Sequence, residues 1–227
     1  MTTPTSIRRQ AWRWAAAASA ALVLAGGAVP ARAAGIVASV TDESGKPLAE
    51  AVVTVTPLDD SAVSPAALSR LATATINQQG EMFMPEVVVV HTGGSVIFRN
   101  SDTMRHHVYS FAQIKQFEFV QQPGDVSPPV RFDHPGVAAI GCNIHDDMIA
   151  YIDVTDAPWA GVTDHNGEVT LTGMPAGRFT AEVWHPRLRP RAPPPTQTVT
   201  LATENTTLAV ALPVLPPPRP HGRGSLY

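Results

Sequence analysis

The stretch VRFDHPGVAAIGCNIHDDMIAYIDV, residues 130–154, places two β-like runs on either side of a short loop rich in soft metal ligands. Small and β-branched residues lead up to Cys142, and IAYIDV begins the next run. Cys142, His145 and Met148 follow one another at intervals of three residues. The segment therefore predicts two neighbouring strands whose connection carries a thiol, an imidazole and a thioether.

The β pattern extends in both directions from this stretch. Short β-branched runs are separated by turn signals about every ten residues, which predicts an all-β antiparallel sandwich. Residues 156–212 repeat the pattern, and QTVTLATENTTLAVAL, residues 197–212, predicts a closing hairpin. Residues 59–79 are less strand-like and are expected to form a helical turn or a connecting loop. The proline-rich tail, residues 213–227, is expected to be disordered.

Residues 1–33 have the order of a bacterial export signal. Three arginines precede the apolar run AAAASAALVLAGGAV, and the A-x-A sequence that follows predicts cleavage after Ala33. The apolar run is shorter than the ~20 residues that span a membrane comfortably. We therefore expect a periplasmic protein with no membrane span after cleavage. An uncleaved anchor helix is the alternative, and both the Sec and the twin-arginine export routes stay open.

The charge balance excludes some partners. Four of the 16 basic residues and none of the 19 acidic residues lie in residues 1–33, so the remaining chain has a formal net charge of −7. Nucleic acids and anionic membrane surfaces are poor partners for a mildly acidic protein.

Cys142 is the only cysteine in the sequence, so it cannot form a disulfide within the chain. It could be buried and inert, a nucleophile paired with His145, or a metal ligand. The sequence has no paired-carboxylate arrangement, phosphate-binding loop or H-E-x-x-H motif. We therefore expect a protein that is not an enzyme.

A second group of possible ligands lies upstream, in NSDTMRHHVYSF, residues 100–111. His106 and His107 are adjacent in a predicted strand, so only one of them can face the interior of a sandwich. Combined with the loop after Cys142, that histidine completes a set of two imidazoles, one thiolate and one thioether. This set favours copper, because zinc rarely uses a thioether and calcium prefers oxygen.

Two segments resemble the cupredoxin family of blue copper proteins. PEVVVVHTGGSVIFRNSDTMRHHVYSF, residues 85–111, resembles the first half of a cupredoxin, and residues 130–154 resemble the second half. The C-x-x-H-x-x-M spacing is similar to that of amicyanin. RHHVYSF and GCNIHD most resemble exported cupredoxins labelled methylamine utilisation proteins. The resemblance implies a Greek-key copper domain over residues 70–155.

The resemblance also implies a copper site with one ion per chain. Its ligands would be His106, Cys142, His145 and Met148. Asn100 matches a residue whose amide steadies the cysteine sulfur. Cupredoxins usually have proline before and asparagine after the first histidine ligand, whereas this chain has Arg105 and His107. His107 therefore stays open as the alternative ligand.

A different resemblance links the two ends of the chain. GIVASVTDESGKPLAEAVVTV, residues 35–55, and TDHNGEVTLTGMPAGRF, residues 163–179, resemble parts of one carboxypeptidase regulatory-like β-sandwich, with an immunoglobulin- or transthyretin-like fold. We therefore expect a sandwich built from residues 35–69 and 156–212, with the copper domain inserted. The alternative is two consecutive domains, with residues 35–57 adding strands to the cupredoxin.

The resulting functional hypothesis is a periplasmic mononuclear type 1 copper protein that carries one electron at a time. The resemblance implies a quinoprotein dehydrogenase or a cytochrome as redox partner. Two alternatives stay open: a periplasmic copper-binding carrier module, and a structural β-sandwich interaction protein without electron transfer.

Overall fold

The computed structural model describes residues 34–59, 73–145, 147–202 and 204–217, and all regular structure in these ranges is β-strand. This confirms the predicted all-β fold class. The described residues contain no helix long and apolar enough to cross a membrane. The expected export signal and residues 218–227 of the expected tail lie outside the described residues.

Sixteen strands occur in the described ranges. They are β1 (Ala34–Asp42), β2 (Val52–Pro57), β3 (Thr73–Gln78), β4 (Phe83–Met84), β5 (Val87–His91), β6 (Ser95–Asn100), β7 (His106–Ala112), β8 (Lys115–Gln121), β9 (Val130–Arg131), β10 (Gly136–Cys142), β11 (Ile149–Thr155), β12 (Trp159–Val162), β13 (Glu168–Met174), β14 (Gly177–Trp184), β15 (Thr196–Leu201) and β16 (Thr206–Leu212).

The first sandwich combines early and late strands of the chain. One sheet has the order β13-β1-β16 and the other the order β12-β2-β14-β15. Ile36 of β1 lies opposite Leu171 in the antiparallel partner β13 and opposite Thr206 in the parallel partner β16. Inward-facing apolar side chains from both sheets, such as Ile36, Val53 and Phe179, form its core.

The second sandwich contains the middle of the chain. Its sheets have the orders β5-β11-β10-β7-β8 and β4-β3-β6-β9, and its core includes Phe98, Phe132 and Ile152. Strand β10 pairs antiparallel with β7, so that Cys142 lies opposite Val108. The end of β10 and the start of β7 therefore meet at the same edge of the five-stranded sheet.

Strands β3 to β11 follow β2 and precede β12, yet none of these described strands pairs with a strand of the first sandwich. Strand β2 pairs instead with β12 and β14, which places Val53 opposite Gly161 and Val183. The two sandwiches meet at a small apolar cluster that includes Val52 and Val87.

The expectation of a loop or helical turn over residues 59–79 is wrong for residues 73–78, which form β3, and residues 60–72 of that stretch lie outside the described residues. This strand runs parallel to β6 and buries Ile76 and Gln78. The side-chain amide of Gln78 donates hydrogen bonds to the Gln121 side chain and to the Arg99 carbonyl. A polar residue at a buried position weakens the alternation that marks a strand, and pairing with β6 decides the conformation.

The expected hairpin over residues 197–212 is also wrong. Strand β15 pairs with β14, whereas β16 crosses to the other sheet and runs parallel to β1. Two consecutive alternating runs look the same in sequence whether they pair with each other or lie in facing sheets.

Candidate metal centre

Three predicted ligands come together at the end of the five-stranded sheet. His106 is the first residue of β7, Cys142 is the last residue of β10, and His145 follows in the loop before β11. One ligand atom from each lies within 4.8 Å of the other two. Over the described ranges, this is the only group of three or more histidine, cysteine or acidic side chains that converges so closely.

Cys142 is buried, with 3% of its surface exposed, and its Sγ lies 3.8 Å from Nδ1 of His106. The antiparallel pairing of β10 with β7 produces this approach, because Cys142 lies opposite a residue two positions beyond His106. Reactive nucleophilic cysteines are usually partly exposed. The burial of Cys142 therefore disfavours the interpretation that it is a catalytic nucleophile.

His106 is fully buried and is held on both sides of its ring. Its Nδ1 faces Cys142, and its Nε2 lies 2.7 Å from Oδ2 of Asp102. Asp102 also accepts hydrogen bonds from the backbone N–H groups of Gly80 and Glu81. A carboxylate at Nε2 favours the tautomer with its proton there, which leaves the Nδ1 lone pair directed towards Cys142.

Asp102 is a functional candidate that the sequence reasoning missed. Burial acts to raise the pKa of Asp102, but hydrogen bonds from Gly80, His106 and Glu81 outweigh it and hold the pKa below its usual value. The carboxylate is therefore ionised at neutral pH. The only sequence signal was an acidic residue four positions before His106, in a segment without helical periodicity.

His145 has an unsatisfied buried atom. Its Nδ1 is buried and has no hydrogen-bond partner in the described part of the chain. Leaving a buried polar atom without a partner costs roughly 1–3 kcal/mol. A bound metal ion would satisfy such a nitrogen. The residue as a whole is partly exposed, and the centre of its ring lies 5.4 Å from that of the His106 ring.

Met148 is buried, with 1% of its surface exposed, and belongs to the same apolar cluster as Cys142. Its backbone N–H donates a hydrogen bond to the carbonyl of His145. The loop therefore turns back at His145 and directs Met148 into the interior.

His107 lies on the other face of β7. Its Nδ1 lies 2.8 Å from the side-chain amide nitrogen of Asn143, and its Nε2 lies 3.7 Å from the Glu118 carboxylate. Its ring is also partly exposed. Of the two adjacent histidines, only His106 belongs to the group that converges with Cys142.

Asn100 is buried below the loop that leads to His106. Its side-chain amide donates hydrogen bonds to the carbonyls of Met104 and Gln121, and its Oδ1 accepts one from the backbone N–H of Asp102. Its backbone N–H is bonded to the carbonyl of Asp125. The hydrogen bonds of Asn100 thus fix the loop that carries Asp102, and none of those described leads to Cys142.

The donor set fits copper. Two imidazole nitrogens and a thiol sulfur converge, one of the imidazoles has an unsatisfied buried nitrogen, and a thioether is buried in the same cluster as the thiol. Two histidines and a cysteine with a weak methionine ligand form the arrangement typical of copper electron-transfer sites.

No family model and no curated protein matches the chain. Part of it is similar to solved structures. A purple cupredoxin from Nitrosopumilus maritimus is 20% identical, covering 36% of this chain and 99% of its own, with a TM-score of 0.33. A copper-containing nitrite reductase from Thermus scotoductus is 23% identical over 44% of this chain and 25% of its own, with a TM-score of 0.33. A reduced amicyanin variant is 18% identical over 45% of this chain and 99% of its own, with a TM-score of 0.33.

Proposed function

We propose that this chain is a periplasmic mononuclear type 1 copper protein that carries single electrons between redox proteins. The observation that carries the proposal is the convergence of His106, Cys142 and His145 within 4.8 Å around a buried thiol. One copper ion would be held by these three residues, with the thioether of Met148 as a further, weaker ligand. When bound, the metal supplies a one-electron redox couple.

Copper is a better candidate for this site than zinc. Structural zinc sites are closed by four nitrogen, thiolate or carboxylate ligands, and the converging group offers only three. Met148 follows His145 by three residues in the same loop, and we propose that its buried thioether completes the set. A thioether is a soft ligand suited to copper.

The protein groups are well fixed for electron transfer. His106 and Cys142 sit on hydrogen-bonded strands, and Asp102 holds the His106 ring from behind. Ligands that are already fixed by the fold need little movement when the oxidation state changes. The ligands are therefore in place before the metal binds, and the hydrogen bond between His106 and Asp102 would tune the properties of the bound metal.

His145, which is partly exposed, is the proposed route for electrons to the surface. Ile144 precedes it in the same loop, Ile149 is the first residue of β11, and both are exposed. Met104, two residues before His106, is also exposed. Exposed apolar side chains around a redox group suit brief docking of a partner protein.

The partners and location follow from the sequence resemblance. We propose a quinoprotein dehydrogenase or a cytochrome as redox partner, export to the periplasm through residues 1–33, and no catalytic reaction of its own. The burial of Cys142 supports the last point, because a substrate could not approach its sulfur. The methylamine utilisation proteins remain the proposed subgroup.

We also propose that the copper domain, residues 70–155, is inserted in a carboxypeptidase regulatory-like sandwich formed by residues 35–69 and 156–212. The pairing of β1 with β13 and β16, and of β2 with β12 and β14, supports this division. Limited proteolysis that released a stable 70–155 fragment, leaving the flanking parts associated, would test it.

The test of function is an absorption and EPR spectrum of the Cu(II)-loaded protein beside Cys142→Ser. We expect an intense thiolate-to-copper band in the visible region that the variant lacks. Copper bound without such a band, or a band that survives in Cys142→Ser, would exclude the proposed site.

A second pair of measurements distinguishes the electron carrier from the copper-carrier alternative. A reversible potential with fast electron self-exchange is expected for the electron carrier. Rapid transfer of copper to a competing metal-free protein would instead favour the carrier module.

A further inference from the structure

A cavity of about 300 Å³ lies where the two sandwiches face each other, away from the converging histidines and cysteine. Its walls come from β2 and β14 of the first sandwich and from β10 and β11 of the second. Apolar wall residues include Val52, Val137 and Trp184, and three carboxylate residues, Asp153, Asp156 and Glu182, also line it. Its size is within the range of small-molecule sites, and its walls combine apolar side chains with threonine and carboxylate side chains.

Asp153 is the unusual member of this lining. Its neighbours in β11, Ile152 and Val154, point into the core of the second sandwich, so Asp153 points to the opposite face, where the cavity lies. Only 9% of its surface is exposed. No hydrogen bond or ion pair of its carboxylate occurs with any described residue.

A buried carboxylate without a partner is costly, and such groups are normally paired or hydrogen-bonded. Burial, and then the nearby Glu182 carboxylate, raise the pKa of Asp153 to about 6. Asp156 and Glu182 are both exposed and add negative charge at the cavity. The cavity lining contains no lysine, arginine or histidine to offset it.

The negatively charged lining therefore favours a cation as the ligand. The arrangement of the carboxylates indicates which kind of cation. A hard metal ion needs several oxygen ligands converging on one point. The three carboxylates do not form such a group, since the sole close cluster in the described ranges is the histidine–cysteine one. Separated carboxylates beside apolar walls and an indole ring suit a larger cation, because a tryptophan face attracts ammonium groups.

We propose that this cavity binds a small organic ammonium ion, with Asp153 as its buried counter-charge, Glu182 as a second carboxylate and Trp184 as an aromatic wall. The site is separate from the metal centre and does not depend on the proposed redox function. Its occupant would join the two sandwiches, because its contacts come from both of them.

Calorimetric titration of the full chain with n-butylammonium chloride at neutral pH tests the proposal. 1-Butanol is the matched probe without the charge, butyrate carries the opposite charge, and calcium chloride tests for a hard metal ion. We expect binding of n-butylammonium alone. Asp153→Asn should weaken it roughly tenfold or more, as expected for loss of a charged hydrogen-bond partner.

Glu182→Gln provides a second variant at an exposed position, where folding is not at risk, and should also weaken binding. Glu168→Gln, an exposed acidic residue outside the cavity, should leave binding unchanged and controls for net charge. Equal binding of 1-butanol, calcium binding lost in Asp153→Asn, or n-butylammonium binding unaffected by both cavity variants would overturn the proposal. No binding of n-butylammonium by the unaltered protein would overturn it as well.

Discussion

Nε2 of His106 lies 2.7 Å from Oδ2 of Asp102, on the side of the ring away from the nitrogen that faces Cys142. The carboxylate is itself fixed by the backbone N–H groups of Gly80 and Glu81, in the segment between β3 and β4. The orientation of one proposed ligand is thus set by a loop from the facing sheet. Partners of this kind typically change metal affinity 10- to 100-fold when they are removed.

Asp102→Asn should therefore weaken copper binding by roughly 10-fold or more. The amide keeps the shape of the side chain but cannot accept all three hydrogen bonds. Competition titration with a copper chelator measures the affinity. NMR of the imidazole nitrogens in the metal-free protein provides an independent readout, because the His106 tautomer should become mixed. Asp133→Asn, at an exposed acidic residue paired with Arg131, is the control. Unchanged affinity and an unchanged tautomer would contradict the assigned role.

His106→Ala and His107→Ala should give opposite results, although the residues are adjacent. The first removes a buried imidazole beside Cys142, so the visible copper band should disappear. The second removes a partly exposed ring on the other face of β7, so the band should remain. The absorption spectra of the two copper-loaded variants make this comparison. Loss of the band only in His107→Ala would reassign the ligand.

Asp153→Asn should make the protein more stable at neutral pH. Burial raises the folded-state pKa of Asp153 from the ordinary value of 3.8 to about 6, so the folded protein binds this proton more tightly than the unfolded chain. Stability therefore falls as pH rises between these values, and the full cost, on the order of 3 kcal/mol, is present above about pH 6. Chemical denaturation of both proteins across this range measures the difference.

The stabilisation should shrink as the pH falls below 6 and vanish below about pH 3, where Asp153 is protonated in both the folded and the unfolded state. Glu86 has a pKa raised to about 7 by burial and by the neighbouring Glu50, so it also affects stability as the pH changes. Both proteins contain Glu86, and its effect cancels in their difference. A stability difference that stayed constant from pH 4 to neutral pH would show that Asp153 is not desolvated.

Gly167→Ala should destabilise the first sandwich more than Gly45→Ala. Both glycines have positive φ angles, 73° and 84°, so both substitutions strain the backbone. A Cβ at position 167 would also collide with the carbonyl oxygen of Val40, whereas one at position 45 would meet open space. We expect a free energy of unfolding about 1–3 kcal/mol lower for Gly167→Ala than for Gly45→Ala. Equal denaturation midpoints would refute the tight packing.

The fold class was predictable because alternation and turn residues are local signals. The β-runs around Cys142 and the turn residues between them marked an all-β chain. Strand β3 was missed because its buried positions include Gln78, whose acceptability depends on Gln121, forty-three residues away. The false hairpin at residues 197–212 arose because the partner of β16 is β1, at the other end of the described chain.

The ligand types of the candidate site could be predicted from spacing, since three of them lie in one short loop. Asp102 could not, because its contact with His106 depends on how an irregular loop is held by Asn100 and by the Gly80 backbone. The position of Asp153 in a cavity depends on how the two sandwiches face each other. Neither the Asp102–His106 contact nor the placement of Asp153 in the cavity can be predicted from the neighbouring sequence.

The parallel pairing of β1 with β16 has a consequence for the order in which the protein folds. Ile36 is opposite Thr206, so β1 leaves the ribosome long before its partner. Among the described strands, β3 to β11 pair only with one another, so the second sandwich can form first. Strands β1 and β2 stay unpaired until their later partners have been synthesised. We expect pulsed hydrogen exchange during refolding to show early protection in residues 73–155 and late protection in β1. The first sandwich is therefore complete only after β16, its last strand in the sequence, has been synthesised and has paired with β1.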